Sequence, residues 1–201
     1  MTEKNYGIIG KPLSHSLSPL LHNFWFKKHN INASYSLIET EVNQINEVID
    51  KIRNKELQGI NVTTPYKQAV IPFLDIVIND AKETSSVNTI YLNNKNKIVG
   101  ENTDVYGFNC SFINKLNNKD LLEKNILIIG AGGVTPSVIY PLLKQNIKKI
   151  FLSNRTVEKA EDIKKKFPFI EIILWENIFN KSQDVDIIIN TTSLGMKNGK
   201  N

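Results

Sequence analysis

The amino-acid sequence predicts an α/β fold with parallel strands, on the basis of three observations. Short apolar runs rich in β-branched residues, such as residues 126–129, have the composition of buried strands. Segments such as residues 42–52 repeat their apolar residues at helical spacing. A glycine-rich turn at residues 130–133 joins a strand to the helix that follows. We therefore expect strands and helices to alternate along the chain.

The composition indicates a globular protein and excludes several other classes. With 201 residues, of which 41% are hydrophobic, the chain can bury an ordinary core. Cys110 is the only cysteine, so no internal disulfide is expected. No apolar run reaches membrane length and the first residues are polar, so neither a membrane span nor a signal peptide is predicted. The expected location is the cytoplasm, without membrane binding.

The charge is mildly basic, with 25 Lys and Arg residues against 20 Asp and Glu. The cations are spread along the chain, and the one dense run, Lys164-Lys165-Lys166, closes a predicted helix whose dipole favours cations there. Nucleic acid is not an expected partner, because the sequence lacks a basic stripe and a stacking platform of aromatic residues. The expected partner is an anionic small-molecule substrate, with a homodimer as the oligomer considered.

Three histidines, His15, His22 and His29, fall seven residues apart. On a helix, His22 and His29 would lie about two turns apart, which is too far to share a metal ion. No Cys, Asp or Glu lies at ligand spacing beside them. We expect no metal site.

The first part of the chain is predicted as a βαβαβ unit. Residues 6–10 form its first strand, and Ser18 followed by Pro19 predicts a helix start, with Ser18 as N-cap and Pro19 as the first helical residue. The next strand, helix and strand are predicted at residues 33–38, 42–52 and 57–62. Residues 86–92 and 97–100 flank an Asn-rich tip and predict a β-hairpin.

Polar side chains follow the predicted strands of this unit. Ser14 and Ser16 lie on the loop after the first strand, and Asn61, Thr63 and Lys67 lie at the end of the third. In α/β proteins ligands bind at the carboxyl ends of strands, so these residues are candidate ligand groups. Alternatively, the two serines only cap backbone groups.

A helix is predicted after Asn102-Thr103-Asp104, because Phe108, Phe112 and Leu116 have helical spacing. Asp104 at its start is either a functional carboxylate or an acidic residue favoured by the helix dipole. The change of domain falls here, between a domain of residues 1–102 and one of residues 103–201.

The glycine turn Gly130-Ala131-Gly132-Gly133 lies between a buried strand and a predicted helix. Glycines let the backbone approach a ligand, and the unpaired N–H groups and dipole of a helix N-terminus favour a diphosphate. The motif is incomplete, since Thr135 stands where the third glycine of a dinucleotide fingerprint would fall. The alternative is a tight turn that binds nothing.

The next strand, residues 149–153, ends in Asn154-Arg155-Thr156. An NAD site usually has an acidic residue here, whereas an arginine accommodates the 2′-phosphate of NADP. Arg155 therefore favours NADP, with Thr156 as a hydroxyl donor and Lys159 as additional positive charge; alternatively, Arg155 is a solvated surface residue. A helix at residues 157–167 and strands at residues 170–174 and 185–189 complete a Rossmann-type pattern.

Together these residues resemble the shikimate dehydrogenase family over essentially the whole chain. The resemblance depends on seven motifs in the family's order: Ser14-His15-Ser16-Leu17-Ser18-Pro19, Asn61-Val62-Thr63-Thr64-Pro65-Tyr66-Lys67, Val87-Asn88-Thr89, Asn102-Thr103-Asp104, Gly130-Ala131-Gly132-Gly133, Asn154-Arg155-Thr156 and Asn190-Thr191-Thr192-Ser193-Leu194-Gly195-Met196. It implies an N-terminal βαβ substrate domain and a Rossmann-type NADP-binding domain, the latter incomplete at the C-terminus.

The resemblance also implies the reaction and the residue roles. NADPH would reduce 3-dehydroshikimate to shikimate, with Lys67 and Asp104 as the catalytic pair. Ser14 and Ser16 would hold the substrate carboxylate, while Thr63, Asn88 and Asp104 bind ring hydroxyls. The implied cofactor-binding residues are Gly130, Ala131, Gly132, Gly133, Val134, Asn154, Arg155, Thr156 and Lys159. Reduction of a ketone by hydride also needs a proton donor beside the oxygen, which Lys67 can supply.

The sequence departs from the family pattern in three places. Val134-Thr135-Pro136 replaces small and often basic residues, Thr64 and Tyr66 replace an aliphatic residue and Phe, and family members continue beyond residue 201. We therefore expect the chain to be a fragment with little or no dehydrogenase activity and with apolar surface exposed on its sheet. The alternatives are a non-catalytic NADP-binding fragment and a quinate/shikimate dehydrogenase that uses NAD.

Overall fold

The computed structural model of the chain describes residues 2–116 and 120–195. The chain divides into two units, Met1–Thr103 and Asp104–Asn201. Among the described residues, no helix is long and apolar enough to cross a membrane.

Unit 1 is built on a mixed six-stranded sheet. Its strands are β1 (Lys4–Gly10), β2 (Ala33–Glu39), β3 (Gly59–Val62), β4 (Ile76–Val77), β5 (Thr89–Leu92) and β6 (Ile98–Glu101), and its helices are α1 (Ser18–Lys28), α2 (Ile45–Arg53) and α3 (Asp80–Thr84). The strand order is β2-β1-β3-β5-β6-β4. β1 pairs in parallel with β2 and β3, whereas β5 is antiparallel to both β3 and β6. The predicted βαβαβ unit and hairpin are confirmed.

Helix α2 covers one face of this sheet with a continuous apolar stripe. Ile45, Val48, Ile49 and Ile52 recur at helical spacing, and all four are buried. They pack on strand residues that include Ile9 and the other members of the same core cluster. This face of the sheet holds most of the hydrophobic core of unit 1.

Four details of unit 1 differ from the sequence prediction. The third strand begins at Gly59 and not at Leu57, because the Leu57 N–H bonds the carbonyl of Lys51 at the end of α2. Residues Val42–Gln44 form a 3-10 turn before α2. β4 and α3 were not predicted, since two and five residues are too short for a periodic signal.

The fourth difference is at the start of α1. Ser18 is not the N-cap, which is Leu17; Ser18 is already helical and Pro19 occupies an early helical position. The Ser18 N–H donates to Ser16 Oγ at 3.3 Å, so Ser16 takes the capping role two residues earlier.

Unit 2 is a parallel four-stranded sheet with helices. Its strands are β7 (Asn125–Ile129), β8 (Lys149–Ser153), β9 (Ile170–Ile172) and β10 (Ile187–Asn190), and its helices are α4 (Asp104–Ser111), α5 (Thr135–Leu142), α6 (Val157–Lys166) and α7 (Ile178–Ser182). The order β10-β7-β8-β9 places the first strand between the second and the fourth, as in a dinucleotide-binding fold. The connection after β7 therefore lies where the strand order reverses.

The centre of unit 2 is the apolar strand β7. Ile126, Leu127 and Ile128 have no exposed surface, as expected for a parallel strand covered on both faces. Seven of the eight residues of α5 are also buried. Most residues of the strand and of the helix that flank the glycine turn are thus buried.

Large apolar side chains are exposed in both units. On α1 and the loop before it they are Leu17, Leu20, Leu21, Phe24 and Trp25, and in unit 2 they include Phe179 and Ile188. Phe179 and Ile188 lie in a groove between α7 and β10, together with Trp175 and Leu194.

Candidate functional site

The strand directions of unit 1 bring several chain segments to one edge of its sheet. β1 and β3 are parallel, with Ile9 opposite Val62, so both end at this edge. β5 is antiparallel to β3 and begins here, with Thr89 opposite Asn61. β6 is antiparallel to β5 and ends here, with Glu101 opposite Thr89. The candidate substrate residues of unit 1, which are Ser14, Ser16, Thr63, Lys67 and Asn88, follow or precede these strand ends, so the structure brings them to one edge of this sheet.

The loop after β1, which we call the serine loop (residues 11–17), is anchored by Leu13. This side chain is buried against Ile8 and Tyr35. The Lys11 N–H donates to the carbonyl of Thr64 at 3.1 Å, which joins the serine loop to the loop after β3. Ser14 is exposed and Ser16 half-buried, so both hydroxyls lie at the surface of the edge.

Lys11 also forms an ion pair with Glu41. Its hydrogen bond to Glu41 raises the pKa of the Lys11 ammonium, which therefore stays charged at neutral pH. The pair is exposed, so its contribution to stability is small.

The loop after β3 holds Thr63 and Lys67. The Thr63 N–H donates to the carbonyl of Ile9 at 2.9 Å, and the Tyr66 N–H donates to the carbonyl of Thr63 at 2.9 Å. The carbonyl of Lys67 accepts the Val87 N–H at 2.8 Å. The backbone of half-buried Lys67 is therefore fixed by the residue that precedes Asn88.

Asn88 is buried and its amide has a fixed orientation. Its Oδ1 accepts the Thr103 N–H at 2.9 Å and the Thr89 hydroxyl at 3.0 Å. Its Nδ2 donates to Thr103 Oγ1 at 2.9 Å. Since the carbonyl oxygen faces the protein, the amide nitrogen is the atom that Asn88 presents as a donor.

The residues of the Asn102-Thr103-Asp104 motif have different roles. Asn102 is buried, and its Nδ2 donates to the carbonyl of Ser86 at 2.7 Å and to Thr84 Oγ1 at 3.2 Å. Asn102 therefore supports the segment before Asn88 and does not reach the surface. Asp104 is half-buried and is the first residue of α4 and of unit 2.

The glycine turn follows β7 directly. Gly130 has a φ of 113°, and a Cβ there would lie 2.7 Å from Thr191 Oγ1, so only glycine fits. Gly132 is exposed and has nothing within 4 Å of its Cβ position. Val134 is the N-cap of α5, and half-buried Gly133 precedes it. The turn thus leaves open space beside a helix N-terminus, which fits a diphosphate.

Two threonines that the sequence analysis did not assign hold this turn. Thr135 Oγ1 donates to the Gly130 carbonyl at 3.0 Å and accepts the Gly132 N–H at 3.1 Å. Thr191 Oγ1 lies 3.0 Å from Thr135 Oγ1, which links the turn to the end of β10. The sequence signal for this contact was Thr135 in place of the third glycine, because a hydroxyl can form hydrogen bonds across the turn and a glycine cannot. Met196, the last residue of the predicted motif that contains Thr191, lies outside the described residues.

The turn after β8 lies beside the glycine turn. Asn154 Oδ1 accepts the Ala131 N–H at 3.0 Å, and Asn154 Nδ2 donates to the carbonyl of Thr156 at 2.8 Å. Arg155, Thr156 and Lys159 are exposed. Within residues 2–116 and 120–195, no acidic side chain pairs with Arg155 or Lys159. The two cations are therefore available to an anionic ligand, and the donor set fits a phosphorylated dinucleotide.

No group of three or more His, Cys, Asp or Glu side chains in the described part of the chain could hold a metal ion.

Comparison with known proteins connects both units to one family. A family model of the shikimate dehydrogenase substrate binding domain matches residues 8–90, and one of shikimate / quinate 5-dehydrogenase matches residues 113–196. The shikimate dehydrogenase (NADP(+)) of Pelagibacter ubique is 46% identical, over 97% of this chain and 71% of that protein.

Solved structures of shikimate dehydrogenases are also similar to this chain. The crystal structure of shikimate dehydrogenase from Aquifex aeolicus has a TM-score of 0.86 and 38% identity, over 99% of this chain and 72% of that one. A shikimate dehydrogenase in complex with NADP+ has a TM-score of 0.84 and 33% identity, over 98% of this chain and 69% of that one.

The fold and the two strand-edge sites define an α/β protein that combines a mixed-sheet unit with a dinucleotide-binding unit. The similarity covers nearly the whole chain and more than two thirds of each of these relatives. The chain belongs to the shikimate dehydrogenase family, an oxidoreductase family whose relatives are named as NADP(+) enzymes. The resemblance identified from the seven motifs is confirmed.

Gly130→Ala should lower the free energy of unfolding of unit 2 by about 1–3 kcal/mol, because the new Cβ meets Thr191 at a positive φ. Gly132→Ala is the matched control, and it should leave the stability unchanged or raise it by about 0.4–1 kcal/mol. Urea denaturation, followed through the amide signals of β7, measures both. Equal stability of the two variants would contradict the role of Gly130.

Proposed function

We propose that residues 1–102 bind 3-dehydroshikimate and residues 103–201 bind NADP, and that Lys67 and Asp104 act as the catalytic pair in the reduction to shikimate. The observation that carries the proposal is the convergence of the serine loop, Thr63, Lys67 and Asn88 at one edge of the unit 1 sheet. These groups supply hydroxyl, amide and ammonium donors, which a carboxylate with several ring hydroxyls requires.

The donors at this edge of the sheet indicate which group of the substrate each side chain would bind. Lys11 is the one Lys or Arg of the serine loop, and its charge is paired with Glu41. The Ser14 and Ser16 hydroxyls would therefore donate to the substrate carboxylate. Thr63 and Asn88 Nδ2 would donate to ring hydroxyl oxygens. Asp104 would accept from a ring hydroxyl.

The chemistry follows from the charge that develops on the ketone oxygen. Bound NADPH supplies the hydride. Lys67 would stabilise the negative charge on the oxygen and donate a proton to it. Asp104 would be the carboxylate partner that orients this ammonium.

The cofactor residues follow from the two turns of unit 2. The open N-terminus of α5 at Gly132, Gly133 and Val134 would hold the diphosphate. Arg155 would contact the 2′-phosphate, with Thr156 and Lys159 beside it, while Asn154 fixes Ala131. The cytoplasmic location and the homodimer stay predictions.

The test is NADPH oxidation by the native protein with 3-dehydroshikimate, with 3-dehydroquinate, and with NADH in place of NADPH. We expect the combination of 3-dehydroshikimate and NADPH to give the highest kcat/KM. A preference for 3-dehydroquinate and NADH would favour the quinate enzyme instead.

Lys67→Ala should lower kcat on the order of a hundredfold with a smaller change in KM, because the ammonium acts on charge formed in the transition state. Lys67→Arg keeps the charge but cannot give up its proton, so it separates electrostatic stabilisation from proton transfer. Steady-state kinetics measure both variants. A kcat of Lys67→Ala within a few-fold of the wild type would remove Lys67 from the mechanism.

Arg155→Ala should weaken NADP+ binding much more than NAD+ binding, because only NADP+ has the 2′-phosphate that a guanidinium can contact with two hydrogen bonds. Lys164→Ala, an exposed cation at the other end of α6, is the control and should change neither affinity. Isothermal titration measures both nucleotides. An unaltered NADP+/NAD+ ratio in Arg155→Ala would assign the 2′-phosphate to another group.

A further inference from the structure

Tyr35 is a buried tyrosine in the middle of β2, and neither the reaction nor the sequence pattern gives it a role. Its side chain packs with Ile8 and Leu13, and its ring stacks on His22 at 4.2 Å between centroids. The Tyr35 phenol is connected on one side to Ser18, next to the serine loop, and on the other to Asn61 on β3.

Toward the serine loop, Tyr35 attaches the start of α1. Asn23 on α1 donates Nδ2 to the Tyr35 carbonyl and accepts the Tyr35 N–H, both at 2.9 Å. Ser18 acts on the pKa of the Tyr35 phenol through a side-chain hydrogen bond that lowers it, against the larger effect of burial, and the Ser18 N–H donates to Ser16 Oγ. No residue of α1 is fully buried within the described part of the chain, so these polar contacts join α1 to the sheet together with the ring contacts of His22 and Phe26.

Toward β3 and β5, the phenol begins a chain of hydrogen bonds. Tyr35 OH donates to Asn61 Oδ1 at 2.7 Å, and Asn61 Nδ2 donates to Thr89 Oγ1 and to the Asn88 carbonyl, both at 3.2 Å. The Thr89 hydroxyl donates to Asn88 Oδ1, and Asn88 Nδ2 donates to Thr103. The chain therefore runs from Tyr35 to the amide that is proposed to bind a ring hydroxyl.

Every donor in this chain depends on the one before it. Because the phenol donates to Asn61 Oδ1, the Asn61 amide must face Thr89 with its nitrogen, which turns the Thr89 hydroxyl toward Asn88. Burial raises the pKa of the Tyr35 phenol, with the hydrogen bond from Ser18 opposing the shift, so the phenol keeps its proton. A phenylalanine would leave Asn61 Oδ1 without this donor.

We propose that Tyr35 is a positioning residue that sets the serine loop and the Asn88 amide in one geometry for the substrate. It touches neither substrate nor cofactor and acts through Ser18 and Asn61. The inference depends on the proposed function only for the identity of the ligand.

The test compares Tyr35→Phe with Tyr66→Phe. Tyr66 is equally buried and its hydroxyl donates to the Thr40 carbonyl at 2.7 Å, so Tyr66→Phe removes one buried hydrogen bond outside this network. Hydrogen exchange by NMR reports on both ends of the network. The Ser18 amide bonds Ser16 Oγ at one end, and the Thr103 amide bonds Asn88 Oδ1 at the other.

In Tyr35→Phe the Ser18 and Thr103 amides should exchange about five- to tenfold faster relative to the amides of β1, the fold-change that corresponds to one lost hydrogen bond. In Tyr66→Phe the same ratios should stay at the wild-type value. Unchanged ratios in Tyr35→Phe, or an equal acceleration in β1, would overturn the positioning role.

A binding measurement then connects the network to the substrate. The dissociation constant for shikimate should rise about five- to tenfold in Tyr35→Phe and stay within twofold in Tyr66→Phe. An unchanged constant beside faster exchange would overturn the connection to the substrate. Absence of shikimate binding in the wild type would refute the proposed function, while the exchange measurement still decides the role of Tyr35.

Discussion

The direction of the strands decides where the functional side chains of unit 1 can lie. β1, β3 and β6 end, and β5 begins, at one edge of the sheet, and this follows from one parallel ladder and two antiparallel ones. A loop that leaves this edge places its polar residues beside those of its neighbours. The same constraint acts in unit 2, where the glycine turn follows β7 at the point of strand reversal and the turn with Arg155 follows β8 beside it.

Polar groups near this edge are held by hydrogen bonds and not by packing. Asn88 and Asn102 are buried, and each of these amides bonds partners on other segments of the chain. An unsatisfied buried amide would be costly, so each network has one arrangement of donors and acceptors. Thr135 and Thr191 do the same around Gly130. The side chains that meet ligands can therefore be oriented before a ligand binds.

The sequence predicted those elements and turns that depend on the chemistry of residues close together in the chain. Apolar periodicity located α2 and β7, and the glycine turn with Arg155 indicated a nucleotide, because turns and helix starts have their own residue preferences. The sequence did not predict the role of Tyr35. In a strand, its position in the apolar alternation is the same as that of an ordinary core residue. Its hydrogen-bond partners Asn23 and Asn61 lie 12 and 26 positions away in the sequence. The predicted N-cap Ser18 was wrong by one residue, because the Ser18 N–H is bonded by Ser16 Oγ and Leu17 takes the N-cap position without a side-chain hydrogen bond. β4 was missed because its two residues are too short to give a periodic signal.

The central claim is that unit 1 binds the substrate at the edge where β1 and β3 end, and that unit 2 binds the dinucleotide at its glycine turn. Titration of the isotope-labelled protein with shikimate and, separately, with NADP+ tests this through the backbone amide shifts. Shikimate should shift the amides of the serine loop, Lys67 and Asn88, and NADP+ should shift those of residues 131–134 and Arg155. Shikimate-induced shifts confined to the hairpin tip at residues 93–96, on the opposite edge of the sheet, would contradict the account.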